Sequence, residues 1–276
     1  MDTVRIAGKN CPVIRVDEEH GVASGIDVTL SNKKKGSRAR LIAMMHVADG
    51  EFYAGVEDTI RTTPGAVPLL EGVTGAPITK DTPEPVRNIF RIMRYTNAIH
   101  RSLLHVIGNG TVSQMAWQKK AFPGPTADVT REQLAEYIVQ RGGNLDRLRM
   151  VMEMLVTVGK KAMLKKRPEN IIRELGESAA GLSIAKNFLW LYPTGKMFAE
   201  GVTDFREDHL LRGISAVDDG KTAILPWGAA HISPLVKGLT KNGQWTMEQD
   251  SVSYRKMLSI KERAHAPSPA LPDHRE

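Results

Sequence analysis

The sequence predicts an α/β fold: a mixed β-sheet in two related strand–histidine–helix halves, with a helical insertion between them. Three observations predict it. The run Ala223-Ile224-Leu225 suits a buried strand, and it leads through Gly228 to His231 and then to the helical spacing of Leu235, Val236 and Leu239. The same arrangement occurs earlier, where the apolar run 39–45 is followed directly by His46 and by helical spacing at Phe52, Val56 and Ile60. Between the two units, residues 130–192 read as helix after helix. In open α/β sheets the carboxyl ends of strands are where ligands bind, so the pairing of His46 with His231 marks the expected site.

In chain order, 13–16 and 26–30 read as two short strands around a glycine-containing turn, and the basic turn 32–37 (NKKKGS) leads into the strand before His46. Asp49 is placed as the N-cap of the next helix. A further apolar run, Val67-Pro68-Leu69-Leu70, ends in Glu71-Gly72. Gly75, Pro77, Pro83 and Pro85 punctuate a loop, and 86–106 is a long helix carrying His100 and His105, both expected to be packing or surface residues. Residues 111–117 read as a strand. Thr130-Arg131-Glu132-Gln133 matches a capping box, and Gly142-Gly143 ends the helix that it opens.

The stretch 145–166 is apolar almost all round over its first half, which predicts burial, and basic over its second. Pro168 begins a short helix ending near Gly176, and 178–190 is helical again. Asp204 is placed as an N-cap with Arg206 in the first turn, a cation set against the helix dipole. Ser233-Pro234 is placed as the start of the last helix, so that His231 sits on the loop before it, with Gly243 as the C-terminal glycine. Residues 1–263 read as a single domain, and the Pro- and charge-rich tail 264–276 as disordered.

The chain has 276 residues, enough for a substantial core. Its one cysteine, Cys11, excludes an internal disulfide and any multi-cysteine metal site. With no signal-like start and no apolar run near the ~18 residues that span a bilayer, the expectation is a cytoplasmic protein without a transmembrane segment. Much of the net charge of +7 falls in 141–173, which holds nine Lys or Arg against three acids. That stretch lacks interleaved aromatics, so it is read as a solvated helix face and nucleic acid is not the expected partner.

Gly228-Ala229-Ala230-His231, with the helix and Gly243 behind it, resembles the second GxxH motif of the TraB/PrgY/GumN family, a superfamily that includes the Tiki metalloproteases. Ala43-Met44-Met45-His46 lies where that family has its first GxxH, with Ala43 in place of the glycine. Leu69-Leu70-Glu71-Gly72 is similar to its strand-end glutamate, and Phe205-Arg206-Glu207-Asp208 to its arginine-containing helix start. The four elements occur in the family's order over residues 39–243.

The resemblance implies a hydrolase acting on a peptide or ester bond of a peptide or small-molecule substrate. It also implies a divalent metal (Mn, Co or Zn) held by His46, His231 and Glu71, whose bound water would be acidified. Glu71 would act as base or ligand, and Arg206 as a clamp for a substrate carboxylate or a developing oxyanion. A metal-free version, with His and Glu as acid and base, is similar to the erythromycin esterases. The alternative is a non-enzymatic regulator that sequesters a peptide, as in the pheromone-shutdown role ascribed to some members.

Overall fold

The computed structural model describes residues 3–6, 9–108, 110–124, 126–163, 193–248 and 251–259. Eleven strands among them, β1 to β11 in chain order, include a seven-stranded mixed sheet. Its long strand β4 (Val22–Asn32) alternates buried and partly buried positions at both ends and is buried on both faces in its middle. Along one edge β4 pairs antiparallel with β3 (Ile14–Asp17) and then with β5 (Arg38–Met44); it also pairs antiparallel with β11 (Ser253–Ser259) and β10 (Trp245–Met247). The β3–β4 turn carries Gly21 at φ 63°, and the Lys-rich β4–β5 turn carries Gly36 at φ 64°. A side chain at either position would be strained.

The other half of the sheet is parallel. β9 (Thr222–Gly228) lies between β5 and β7 (Ala66–Pro68), parallel to both, with Leu41 opposite Leu225 and Val67 opposite Ala223. Central parallel strands are covered on both faces, and β9 is buried from Ala223 to Gly228. The helix after β5, α1 (Gly50–Thr62), buries Phe52, Tyr53, Val56 and Ile60. The helix after β9 (Ala229–Thr240, numbered α8 below) buries Ile232, Leu235, Val236 and Leu239. Together these faces form the sheet's core.

A second apolar core belongs to the helical region. α2 (Glu84–Ile107) packs with α4 (Arg131–Gln140) and α5 (Leu145–Met163) through Ile89, Ile92, Leu134, Ile138, Leu148 and Met152. The helical layer therefore begins with α2, well before residue 130. The Thr130 capping box is formed on both sides, with the Gln133 N–H donating to Thr130 Oγ1 at 3.2 Å and the Thr130 N–H to Gln133 Oε1 at 2.8 Å. α5 is not buried all round: Met150 and Met154 stand exposed at 58% and 54%, one turn apart on its outer face. The expected helices in 168–190 and the tail from 264 lie outside the described residues. Among the described residues no helix is long and apolar enough to cross a membrane.

Three boundaries differ from the sequence reading, each for a local reason. Residues 111–113 do form a strand, β8 (Thr111–Ser113), against β6 (Val47–Asp49), but Ser113 then caps α3 (Gln114–Ala121) by accepting from the Ala116 N–H at 3.2 Å. The short alternating pattern hid a cap. Asp204 caps nothing, because α6 (Pro193–Glu200), a π-turn at Gly201–Phe205 and α7 (Arg206–Ser215) follow without a break. Arg206 is thus mid-rod, where the dipole argument against a first-turn cation does not apply. Finally α8 begins at Ala229, so His231 lies in its first turn and Ser233-Pro234 lie inside it. Pro234 lies in the second turn, where it removes the backbone bond that would otherwise run to the Ala230 carbonyl.

Candidate active site

The parallel strands end along one edge of the sheet, and each delivers a residue there. β5 runs into His46, β9 into Gly228 and His231, and the chain after β7 reaches Glu71, guided by the Leu69 N–H donating to Ile224 O at 2.9 Å. Glu71 is 4% exposed, so burial raises its pKa. The charges of Arg206, His46 and His231 and the Gly228 N–H outweigh that penalty and hold the carboxyl well below the usual carboxylate range. Its two oxygens are occupied differently. Oε2 accepts from the Gly228 N–H at 2.7 Å and from Gln114 Nε2 at 3.3 Å, and Oε1 accepts from Arg206 Nη2 at 3.0 Å.

Gly228 has a steric role at this point. A Cβ there would lie 3.3 Å from Glu71 Oε2 and 3.6 Å from His231 Cδ2, so glycine lets the carboxylate reach the backbone N–H. At the first motif Ala43 stands where glycine would be, and the room is found on the neighbouring strand. Gly25 in β4 has no side chain, and a Cβ there would come within 3.2 Å of the Ala43 Cβ.

Arg206 is 6% exposed and fully engaged. Asp128, on the loop before α4, takes it bidentately: Nε donates to Oδ1 at 2.9 Å and Nη2 to Oδ2 at 2.5 Å. Nη1 donates to Val202 O at 3.2 Å across the π-turn, and the guanidinium lies 5.1 Å from the Trp227 ring centroid. Burial opposes its charge, but Asp128 first and then Glu71 push its pKa further up. Asp128 is placed by its own neighbours, since Oδ2 accepts from the Gly72 N–H and Oδ1 from the Val129 N–H.

The two histidines are held differently. His231 is buried, with Nδ1 at 2.9 Å from Glu207 Oε1 and Nε2 at 3.4 Å from Arg206 Nη1 and 3.8 Å from Glu71 Oε1. The carboxylate can only accept, so Nδ1 is the protonated nitrogen that donates to Glu207. The indole of Trp227, fixed by Nε1 donating to Leu69 O, meets the His231 ring edge-on at 5.4 Å. His46 is exposed at the rim, with Nδ1 at 2.9 Å from Gln114 Oε1. Beneath it, Tyr53 donates its hydroxyl to Met45 O at 2.7 Å, and burial together with the Glu71 charge pushes the phenol pKa up.

The four residues expected from the sequence therefore meet in one cluster: Glu71, Arg206 and His231 directly, and His46 through Gln114. Three further members escaped the sequence reading. Gln114 lay in a stretch read as strand. Asp128 carries no motif. Glu207 was visible only as Arg206's neighbour, although two successive charged residues at a buried helix turn would have been a signal.

His231 Nε2 lies 3.8 Å from Glu71 Oε1 and the Arg206 guanidinium contacts both, so a divalent ion shared by His46, His231 and Glu71 would sit against a fixed cation. Among the described residues no set of three or more His, Cys, Asp and Glu side chains is arranged to hold a metal. No protein-family model matches the sequence, and neither a curated protein nor a solved structure matches it.

Proposed function

We propose that this protein is a TraB/Tiki-like hydrolase that cleaves a peptide or ester bond by acid–base chemistry at His46 and His231. The observation that carries the reading is the delivery of both imidazoles and Glu71 to one edge of three parallel strands, with each imidazole Nδ1 held by a polar side chain. His46, at the exposed rim, removes a proton from water as the oxygen adds to the substrate carbonyl. The proton is returned to the leaving nitrogen or oxygen as the old bond breaks.

Glu71 is saturated with donors and strongly acidic, which makes it a poor proton acceptor. Its role in this reading is a fixed negative charge that orders Gly228, Gln114 and Arg206. Arg206 likewise serves as an internal counter-charge and not as a substrate clamp. The substrate is a peptide or small molecule reaching the rim beside His46, and the single cysteine supports a reducing compartment such as the cytoplasm.

A metal-dependent form, with Mn, Co or Zn, has one observation in its favour: the cluster gathers three carboxylates, Glu71 and Asp128 on the single guanidinium and Glu207 on His231. It requires Arg206 to leave Glu71.

The test is a peptide-library and ester-substrate assay with and without these metals, beside elemental analysis of protein purified without an affinity tag. Turnover that persists in chelator and falls about 100- to 10,000-fold in His46→Ala is the expected result. Stoichiometric metal lost with activity in His231→Ala would move the reading to the metal-dependent form. Absence of turnover with retained peptide binding would replace it by the sequestering regulator.

A further inference from the structure

We propose that Gln114 is a positioning residue that fixes the tautomer of His46, placing the proton on Nδ1 and leaving Nε2 as the proton-accepting nitrogen. The inference rests on the reading of His46 as the base of the site, and it adds to that reading a residue that touches neither substrate nor reacting atoms.

Glu71 sets the orientation of the Gln114 carboxamide. An ionised carboxylate only accepts, so the Gln114 end that faces Glu71 Oε2 at 3.3 Å must be its NH2. That fixes which way the carboxamide points, a choice that an isolated glutamine leaves open. The opposite end, Oε1, also only accepts, and it lies 2.9 Å from His46 Nδ1. A favourable contact there requires an Nδ1–H donor. The neutral imidazole therefore carries its proton on Nδ1.

The backbone makes the same link. Gln114 N–H donates to His46 O at 2.9 Å, and Ser113 pairs with Val47 in the β6–β8 ladder. Gln114 is the first residue of α3, anchored by the Ser113 cap, and is 4% exposed. Its carboxamide thus sits in a rigid corner between a fixed carboxylate and the rim histidine. Burial supplies a further reason for the orientation: a flipped amide would set Oε1 against Glu71 Oε2 and leave two acceptors facing each other away from water. His231 obeys the same rule by another route, since Glu207 accepts from its Nδ1. Both imidazoles then present Nε2 as acceptor, one from a carboxylate partner and one from a carboxamide.

The test uses the full chain labelled with 15N. Long-range 1H–15N correlation reads the two ring nitrogens of each histidine separately, at a pH about two units above the ordinary histidine value of ~6.5. In the parent protein, His46 and His231 are both expected to show a protonated Nδ1 and an unprotonated Nε2. In Gln114→Leu, His46 is expected to change to the Nε2–H form that imidazole favours in water. His231 is expected to keep its pattern, which shows in the same spectrum that the site is still folded.

An Nε2–H form of His46 in the parent overturns the proposal, and that measurement needs no variant to fold. Retention of the Nδ1–H form in a folded Gln114→Leu protein also overturns it. The tautomer is read without substrate, so its outcome is separate from whether turnover is found. Failure of the hydrolase reading and failure of this one are therefore distinguishable.

Discussion

Glu71 has more partners than any catalytic role requires, and its stability consequences can be measured. Its folded pKa is depressed, so its contribution is fully present above the unfolded glutamate value of ~4.3 and is lost as pH falls toward the folded value. Replacing it by Gln removes a charge that Arg206 and the Gly228 N–H were arranged around. The expected outcome is a variant less stable than the parent at pH 7, with a gap that narrows as pH falls below about 4. Urea unfolding of both proteins at several pH values reads the gap directly, and a gap independent of pH would contradict the account. Glu71, His46 and His231 were legible in the sequence because each follows an apolar strand run at a chain position where ligands gather. Asp128 was not legible, because a carboxylate in a loop becomes meaningful only when a helix nearly eighty residues later turns an arginine toward it.

At the level of elements, the strands were easier to read than the helix boundaries. Alternation and apolar runs located β3, β4, β5, β7 and β9 of the main sheet, while β10 and β11, which pair with β4, were not read as strands. The start of α8 was misread because Ser233-Pro234 has the composition of a helix start, while the real start uses only Gly228 and two alanines. The π-turn before Arg206 left no mark in the sequence. Such turns are frequent at functional sites, and here one brings Val202 O to the guanidinium. β4 and β5 approach each other closely at Gly25. A Cβ at Gly25 would lie 2.6 Å from Ala43 O and 2.8 Å from Met257 Sδ, so backbone must move to admit it. Gly25→Ala should destabilise the fold by about 1–3 kcal/mol, the range for overpacking a tight core, as measured by chemical denaturation. A neutral result would mean that the strands part more readily than their spacing implies.

Among the described residues the two larger apolar cores lie on the sheet and among the helices, and the rod from α6 through α7 touches both. Phe205 and Val202 pack on the helical core, while Leu210 and Ile214 lie in that of the sheet. Arg206 sits at the crossing and ties Glu71, after β7, to Asp128, before α4. Arg206→Met keeps most of the side chain's apolar length but leaves two buried carboxylates without their cation. Removing one partner of such a cluster costs about 3–5 kcal/mol, which should appear as a lower urea midpoint. Since the arginine links both cores, the loss is expected in a single cooperative transition. Two separate transitions would show that the cores unfold independently.

The place of β9 has a consequence for how the chain matures during synthesis. It is the central strand of the parallel set, yet it is made more than 150 residues after the strand that it meets on either side. Until residues 222–228 leave the ribosome, β5 has one unpaired edge and β7 has no partner strand among those described. A nascent chain stopped before that point carries exposed strand edges of the kind that recruit other chains. The site itself cannot exist in such a chain, because Glu71 lacks both the Gly228 N–H and His231. Closure of the long connection between β7 and β9 is thus expected to be a late, slow step of folding, and the cluster around Glu71 is complete only once β9 has paired with β5 and β7.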